Sequence, residues 1–200
     1  QSVYDDIKRN KIITLLENKI DRERTFSSFF NFKFNTYQPS EFSGFKRLDL
    51  DKVFAALVFF CGDKGMFKTK LNKLMFYADF ISFKIFSLSI TGLEYVKLPY
   101  GPVPDNYDCY IATLLHDGKI FKNEQQFGEK LFACDRPDIS IFSEDELQVL
   151  INIKNYFSHF NSKQISEVSH GENAYIETKN SDFISYRFAN KINIQISISR

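Results

Sequence analysis

The sequence predicts an α+β protein that is predominantly helical: a compact helical domain with a small β-hairpin or sheet and an N-terminal helical arm. Three observations lead to this prediction. Apolar residues recur at helical spacing in several segments, two short apolar stretches flank Phe127-Gly128, and the C-terminal tail alternates apolar and polar residues. The 200 residues are 44% hydrophobic and 16% aromatic, which is enough for a real core.

Residues 1–45 are predicted to be a helical, Phe-rich arm or linker, and residues 46–200 the main domain. Residues 3–24 carry apolar positions among many charges, as in an amphipathic helix. A dense group of aromatic side chains follows. Such residues serve equally well as interface anchors or as core, and the candidates for binding a partner are Phe26, Phe29, Phe30, Phe32, Phe34 and Tyr37.

Two helices open the main domain. Asp49 is a candidate N-cap for the first helix, which Gly62 and Gly65 are expected to end. Thr69 is a candidate cap for the second, residues 70–86, whose apolar residues lie on two sides and predict a central helix. Lys73 and Tyr77, four residues apart, are expected to form the polar edge of this helix.

The second half of the domain alternates turns, helices and short strands. A short strand at 94–98 is expected to lead into a rigid turn at 99–104, with Pro104 in the first turn of a third helix that ends at Gly118. Residues 119–134 favour a β-hairpin.

Two more helices and a strand complete the prediction. Ser143 and Glu146 form a capping-box pattern before a fourth helix, and Ser162 is expected to cap a fifth that ends at Gly171. The isoleucines of residues 192–198 alternate with polar residues, which predicts a strand.

Composition excludes several classes of protein. The formal net charge of +1 lacks the basic excess typical of dedicated nucleic-acid binders. Three widely spaced cysteines indicate reduced thiols and a cytoplasmic protein. The longest apolar run is about nine residues, against the roughly 20 that span a bilayer, so no membrane association is expected.

Motifs for catalysis, metals and cofactors are not evident, and we expect neither an enzyme nor a cofactor or metal site. His170 is expected to lie at a helix C-terminus, where a partly charged imidazole would interact with the terminal carbonyls. The basic run Lys64, Lys68, Lys70 and Lys73 fits a solvated face better than a phosphate contact.

Three segments together resemble the Panacea domain of SocA-like, phage-associated antitoxins. They are KTKLNKLMFYADF at 68–80, ITGLEYVKLPYGPVPDNY at 90–107 and, more weakly, SKQISEVSHGENAYIET at 162–178. The resemblance covers about residues 45 to 190. We expect the matching residues to support the fold; they are Lys73, Leu74, Tyr77, Asp79, Thr91, Gly92, Gly101, Pro102, Pro104 and His170.

The resemblance implies an antitoxin of a bacterial toxin-antitoxin system that neutralises a cognate protein toxin by direct binding, with a homodimer as a further option. It also leaves open a proteolytic adaptor or a DNA-binding transcriptional regulator of the operon. Relatives sometimes carry a helix-turn-helix domain, so the arm is interpreted as a connection to such a domain, and DNA contact is expected through that domain alone.

A hydrolase or transferase that uses Asp79, Tyr77 or His170 is the remaining alternative. Tyr77 and Asp79 lie two positions apart, about 200° around a helix, and so cannot face one pocket together.

Overall fold

The computed structural model describes residues 38–125 and 128–196, and its first helix, α1, spans Leu50–Cys61. Asp49 is in extended backbone and its carboxylate accepts a hydrogen bond from the Lys52 amide at 3.1 Å, which confirms it as the N-cap. Gly62 ends the helix with a φ of 56°. The face of α1 that includes Val53, Ala56 and Phe60 is fully buried.

The central helix, α2, spans Lys68–Phe86, and each of its residues from Lys70 to Ser82 is buried. The predicted cap at Thr69 is wrong: Phe67 occupies the N-cap position without a capping side-chain hydrogen bond. Several other elements pack against α2, so its polar residues between Lys70 and Ser82 lie inside the protein. Because water does not reach these polar side chains, the surrounding elements must supply their hydrogen-bond partners.

A two-stranded antiparallel hairpin, β2 (Tyr95–Leu98) and β3 (Gly101–Pro104), packs against α2. The predicted rigid turn at 99–104 is therefore wrong for its second part, which is a strand. The amide of Asp105 donates to the carbonyl of Glu94 at 2.8 Å, and bonded pairs alternate along an antiparallel ladder. Pro102 and Pro104 thus fall at the positions that need no amide donor.

The second sheet has three strands, which lie in the order β1 (Met66–Phe67), β5 (Gly128–Ala133) and β4 (Ile120–Gln125). Strands β4 (Ile120–Gln125) and β5 (Gly128–Ala133) confirm the predicted hairpin, with Ile120 opposite Ala133 and Gln125 opposite Gly128. Strand β1 (Met66–Phe67) pairs antiparallel with β5. Two residues are too few to show a periodic pattern, so the sequence did not reveal β1.

Helix α3 spans Tyr107–His116 and follows Asn106, which has a φ of 57°. Pro104 ends β3 rather than starting this helix, so the predicted role of Pro104 in the first turn is wrong. Gly118 lies two residues beyond the end of α3, with a φ of 65°.

The remaining helices are α4 (Glu144–Tyr156), α5 (Ser162–His170), α6 (Asn173–Ile176) and a 3₁₀ helix (Tyr186–Lys191). The capping box of Ser143 and Glu146 is confirmed. Asn161 caps α5, so the prediction of Ser162 as the cap is wrong by one residue.

The predicted C-terminal strand is wrong for residues 192–196, the described part of that segment, which contain no strand. Ile192 and Ile194 are buried, so the alternation does place one face inward. The backbone finds a side-chain partner instead of a sheet edge, because the Asn193 amide donates to the Glu172 carboxylate at 2.8 Å. Among the described residues, no helix is long and apolar enough to cross a bilayer.

Candidate functional site

Asp79, on the buried length of α2, binds the loop before β2. One carboxylate oxygen accepts hydrogen bonds from the amides of Ile90 and Thr91, both at 2.9 Å. The other accepts from the Thr91 hydroxyl at 2.5 Å and the Tyr95 hydroxyl at 2.7 Å. Burial raises the pKa of Asp79, and the hydrogen bonds act in the opposite direction. All its contacts are internal, so Asp79 positions a loop.

The loop that Asp79 holds also supports the start of α1. The Asp49 amide donates to the Thr91 carbonyl at 2.8 Å. Gly92 has a φ of 76°, and a Cβ there would lie 2.4 Å from the carbonyl oxygen of Arg47. Thr91 and Gly92 are therefore scaffold positions, one for its hydroxyl and the other for the absence of a side chain.

Tyr77 faces a different part of the interior from Asp79. Its hydroxyl donates to the carboxylate of Glu172 at 3.2 Å, and that carboxylate also accepts the amide of Asn193. Glu172 is fully buried, and burial raises its pKa. Tyr77 and Asp79 thus have separate partners, as their spacing on the helix predicted.

Lys73 is a buried lysine, with 1% of its surface exposed. The prediction that Lys73 and Tyr77 form a polar edge of the helix is therefore wrong, because β3, α5 and their neighbours cover that side of α2. Burial lowers the pKa of Lys73 to about 7. A Cβ on Gly101, whose φ is 102°, would lie 2.7 Å from Cε of Lys73 and 2.5 Å from the Ser169 hydroxyl.

His170 is the last residue of α5, and its ring stacks on that of Tyr175 with 4.5 Å between centroids. Burial, followed by the charge of Lys73, lowers its pKa. His170 does lie at the C-terminus of a helix, as predicted, but both effects disfavour the charged imidazole that was expected there. His170 contributes packing between α5 and α6.

The remaining motif residues belong to the same interior. Leu74 is 1% exposed on α2, and Gly101, Pro102 and Pro104 form the buried strand β3. The sequence did not single out Tyr95, Ser169 or Glu172 as partners of the motif. Glu172 was recognisable only as a neighbour of His170, because pairing across 95 residues depends on the packing of helices.

The cysteine with the deepest burial is not activated as a nucleophile. Burial raises the pKa of Cys61 to about 12, with a smaller opposing effect from Lys154. The thiol is thus the stable form at neutral pH. In the described part of the chain, no three His, Cys, Asp or Glu side chains are grouped so as to hold a metal ion.

The aromatic residues predicted to bind a partner, Phe26, Phe29, Phe30, Phe32, Phe34 and Tyr37, lie outside the described residues. Phe45, from the end of the same Phe-rich segment, is described. It is 58% exposed with a φ of 54°, and its ring stacks on that of Phe83 with 6.2 Å between centroids. Leu88, 43% exposed, lies beside the contact between the Ser89 amide and the Gly44 carbonyl.

Comparison with known families matches residues 71–176 to the family described as antitoxin SocA-like, Panacea domain. Searches of curated proteins and of solved structures found no match. The family match covers more than half of the 200 residues and includes most of α2, the β2–β3 hairpin and α5. The chain therefore belongs to the SocA-like antitoxin family that carries the Panacea domain.

Proposed function

We propose that this protein is an antitoxin that neutralises a cognate protein toxin by direct, stoichiometric binding. The family match is the observation that carries the proposal. The internal contacts of the motif residues support it: Asp79, Tyr77 and Lys73 act within the fold and so leave specificity to the surface. We also propose that it acts in the cytoplasm, where its separate thiols would stay reduced.

We propose that the Phe-rich segment which ends at Phe45 provides the toxin-binding surface. Phe45 supports this, because more than half of a large apolar side chain is exposed at the end of α2. Leu88 is a further exposed apolar residue, and its neighbour Ser89 is hydrogen-bonded to Gly44, the residue before Phe45. Buried aromatic anchors dominate the affinity of many protein interfaces, so an exposed aromatic ring that stacks against Phe83 of α2 is well suited to this role.

The test is co-expression of the full chain with the product of the adjacent gene, followed by growth measurement and co-purification. Phe45→Ala is the diagnostic variant, and Phe29→Ala and Phe30→Ala extend it along the segment. Phe121→Ala is the matched control, because Phe121 is 50% exposed and stacks on Phe132 at 5.0 Å, yet belongs to β4.

We expect the wild type and Phe121→Ala to restore growth and to co-purify with the toxin. Loss of an anchor costs about 2 kcal/mol or more, so Phe45→Ala should weaken the complex about 30-fold. Circular dichroism should show that the variant remains folded. Equal affinity of both variants would refute the proposed surface, and growth rescue without a complex would refute neutralisation by binding.

A further inference from the structure

A pocket of about 400 Å³ lies where α1, β1, β5 and the start of α5 meet. Its lining includes Lys64, Lys70, Lys130 and Lys154, against the single carboxylate of Asp63. The formal charge of the lining is thus +3, whereas the whole chain carries +1. Positive charge is therefore concentrated in the lining of this pocket, on a nearly neutral protein.

None of these four lysines forms an ion pair within the described part of the chain, although seven other lysines there do. Two of them are held in place by backbone carbonyls. Lys70, 8% exposed, donates to the carbonyls of Phe157 and Phe160, both at 2.7 Å, and Lys154 donates to that of Phe59 at 2.6 Å. An ammonium group has three protons, so each retains donor capacity toward an anion.

A neutral donor lines the same pocket. The hydroxyl of Ser162 is shielded from solvent and has no hydrogen-bond partner. Ser162 is also the first residue of α5, so its amide has no carbonyl partner within the helix. An unpartnered buried hydroxyl is rare, and rotation of the Ser162 side chain toward the pocket would let it donate to a bound acceptor.

We propose that this pocket binds the phosphoryl group of a small phosphorylated ligand. A phosphate monoester carries a charge between about −1.5 and −2 at neutral pH and has three acceptor oxygens, which suits several lysines better than a single carboxylate does. Phe67 and Phe160, both partly exposed, add aromatic walls for the organic part of such a ligand. The volume falls in the range of small-molecule sites. This inference does not depend on the proposed toxin binding.

Isothermal titration calorimetry on the full chain, in buffer free of phosphate, tests the inference. The probes are inorganic phosphate, adenosine monophosphate, adenosine and glutamate. We expect the two phosphorylated probes to bind, and to bind more weakly at high NaCl. Tighter binding of adenosine monophosphate than of phosphate would identify an organic phosphate as the ligand, and equal binding would identify free phosphate.

Variants locate the binding. Lys64→Gln/Lys130→Gln removes two pocket charges and leaves the carbonyl contacts of Lys70 and Lys154 intact, and it should weaken binding about tenfold. Lys179→Gln/Lys191→Gln removes the same charge from exposed lysines outside the pocket and should bind as the wild type. Ser162→Ala tests the role of the hydroxyl. If the hydroxyl contacts the ligand, the variant should bind more weakly; if its role is purely structural, binding should be unchanged.

Three results would overturn the proposal. The first is no binding of phosphate or adenosine monophosphate at millimolar concentration. The second is binding of adenosine or glutamate as tight as that of the phosphorylated probes. The third is equal loss of binding in the pocket variant and in the control variant, which would indicate a general charge effect.

Discussion

Replacement of Asp79 by alanine should destabilise the protein strongly, because its carboxylate is the shared acceptor for four donors. Two of them, the amides of Ile90 and Thr91, belong to a fixed loop and cannot turn to another acceptor. A buried donor left without a partner costs about 1–3 kcal/mol, so the two amides together predict a loss of about 2–6 kcal/mol. That is a large part of the roughly 5–15 kcal/mol that stabilises a typical domain.

Two matched variants separate the hydrogen bonds from the loss of side-chain volume. Asp79→Asn keeps an oxygen for the two amides and should lose about half as much stability or less. Tyr95→Phe removes one donor and leaves three, so we expect a loss of about 1–2 kcal/mol. The measurement is the free energy of unfolding from a urea titration that is monitored by circular dichroism.

The test depends on which of the three variants loses the most stability. If Asp79→Ala loses no more stability than Tyr95→Phe, the carboxylate does not hold the loop and the reasoning fails. Because the loop also supports Asp49, Asp79→Ala should further increase amide hydrogen exchange at the start of α1.

Three further predictions concern other buried or capping positions. The pKa of Lys73 is lowered to about 7 in the folded protein, so above that pH the unfolded chain binds more protons than the folded one. The free energy of unfolding should therefore rise between pH 7 and pH 10. Urea titrations should show a smaller rise for Lys73→Met. Gly92→Ala should lower the free energy of unfolding by about 3 kcal/mol or more, because its Cβ would lie 2.4 Å from a carbonyl oxygen. Gly118→Ala has a φ of 65° but nothing within 4 Å of its Cβ, so it should lower that free energy by only about 1 kcal/mol. Equal losses in the two variants would contradict the close approach at Gly92. Ser143→Ala removes the N-cap of α4 and should lower the free energy of unfolding, measured by calorimetry, by about 1 kcal/mol. Ser158→Ala replaces an exposed serine and should leave it unchanged.

Local sequence signals predicted most of the helices. Asp49 and the pair Ser143 and Glu146 marked helix starts correctly, because a cap depends on residues three positions apart. The hairpin around Gly128 was also recognisable, because its two strands and its turn are adjacent in the sequence. Errors occurred where either of two neighbouring residues could cap a helix, as with Asn161 and Ser162, and at 192–196, where the alternating residues pair with no strand.

The surroundings of the motif residues could not be predicted locally. A lysine and a tyrosine four residues apart indicate a polar edge on any isolated helix, yet Lys73 and Tyr77 are buried. Their environment depends on β3, α5 and Glu172, which lie far along the chain. Burial is a property of the assembled fold, and the shifted pKa of Lys73 follows from burial.

The sequence by itself determined the fold class, the family and the order of the helices, because periodicity, caps and motif spacing act over a few residues. The tertiary structure decided which polar residues face inward and which lysines share a pocket. Lys64 and Lys70 are near in sequence, but Lys130 and Lys154 join them only through the packing of β5 and α4. Such convergence of distant segments depends on long-range packing, which no local pattern in the sequence encodes.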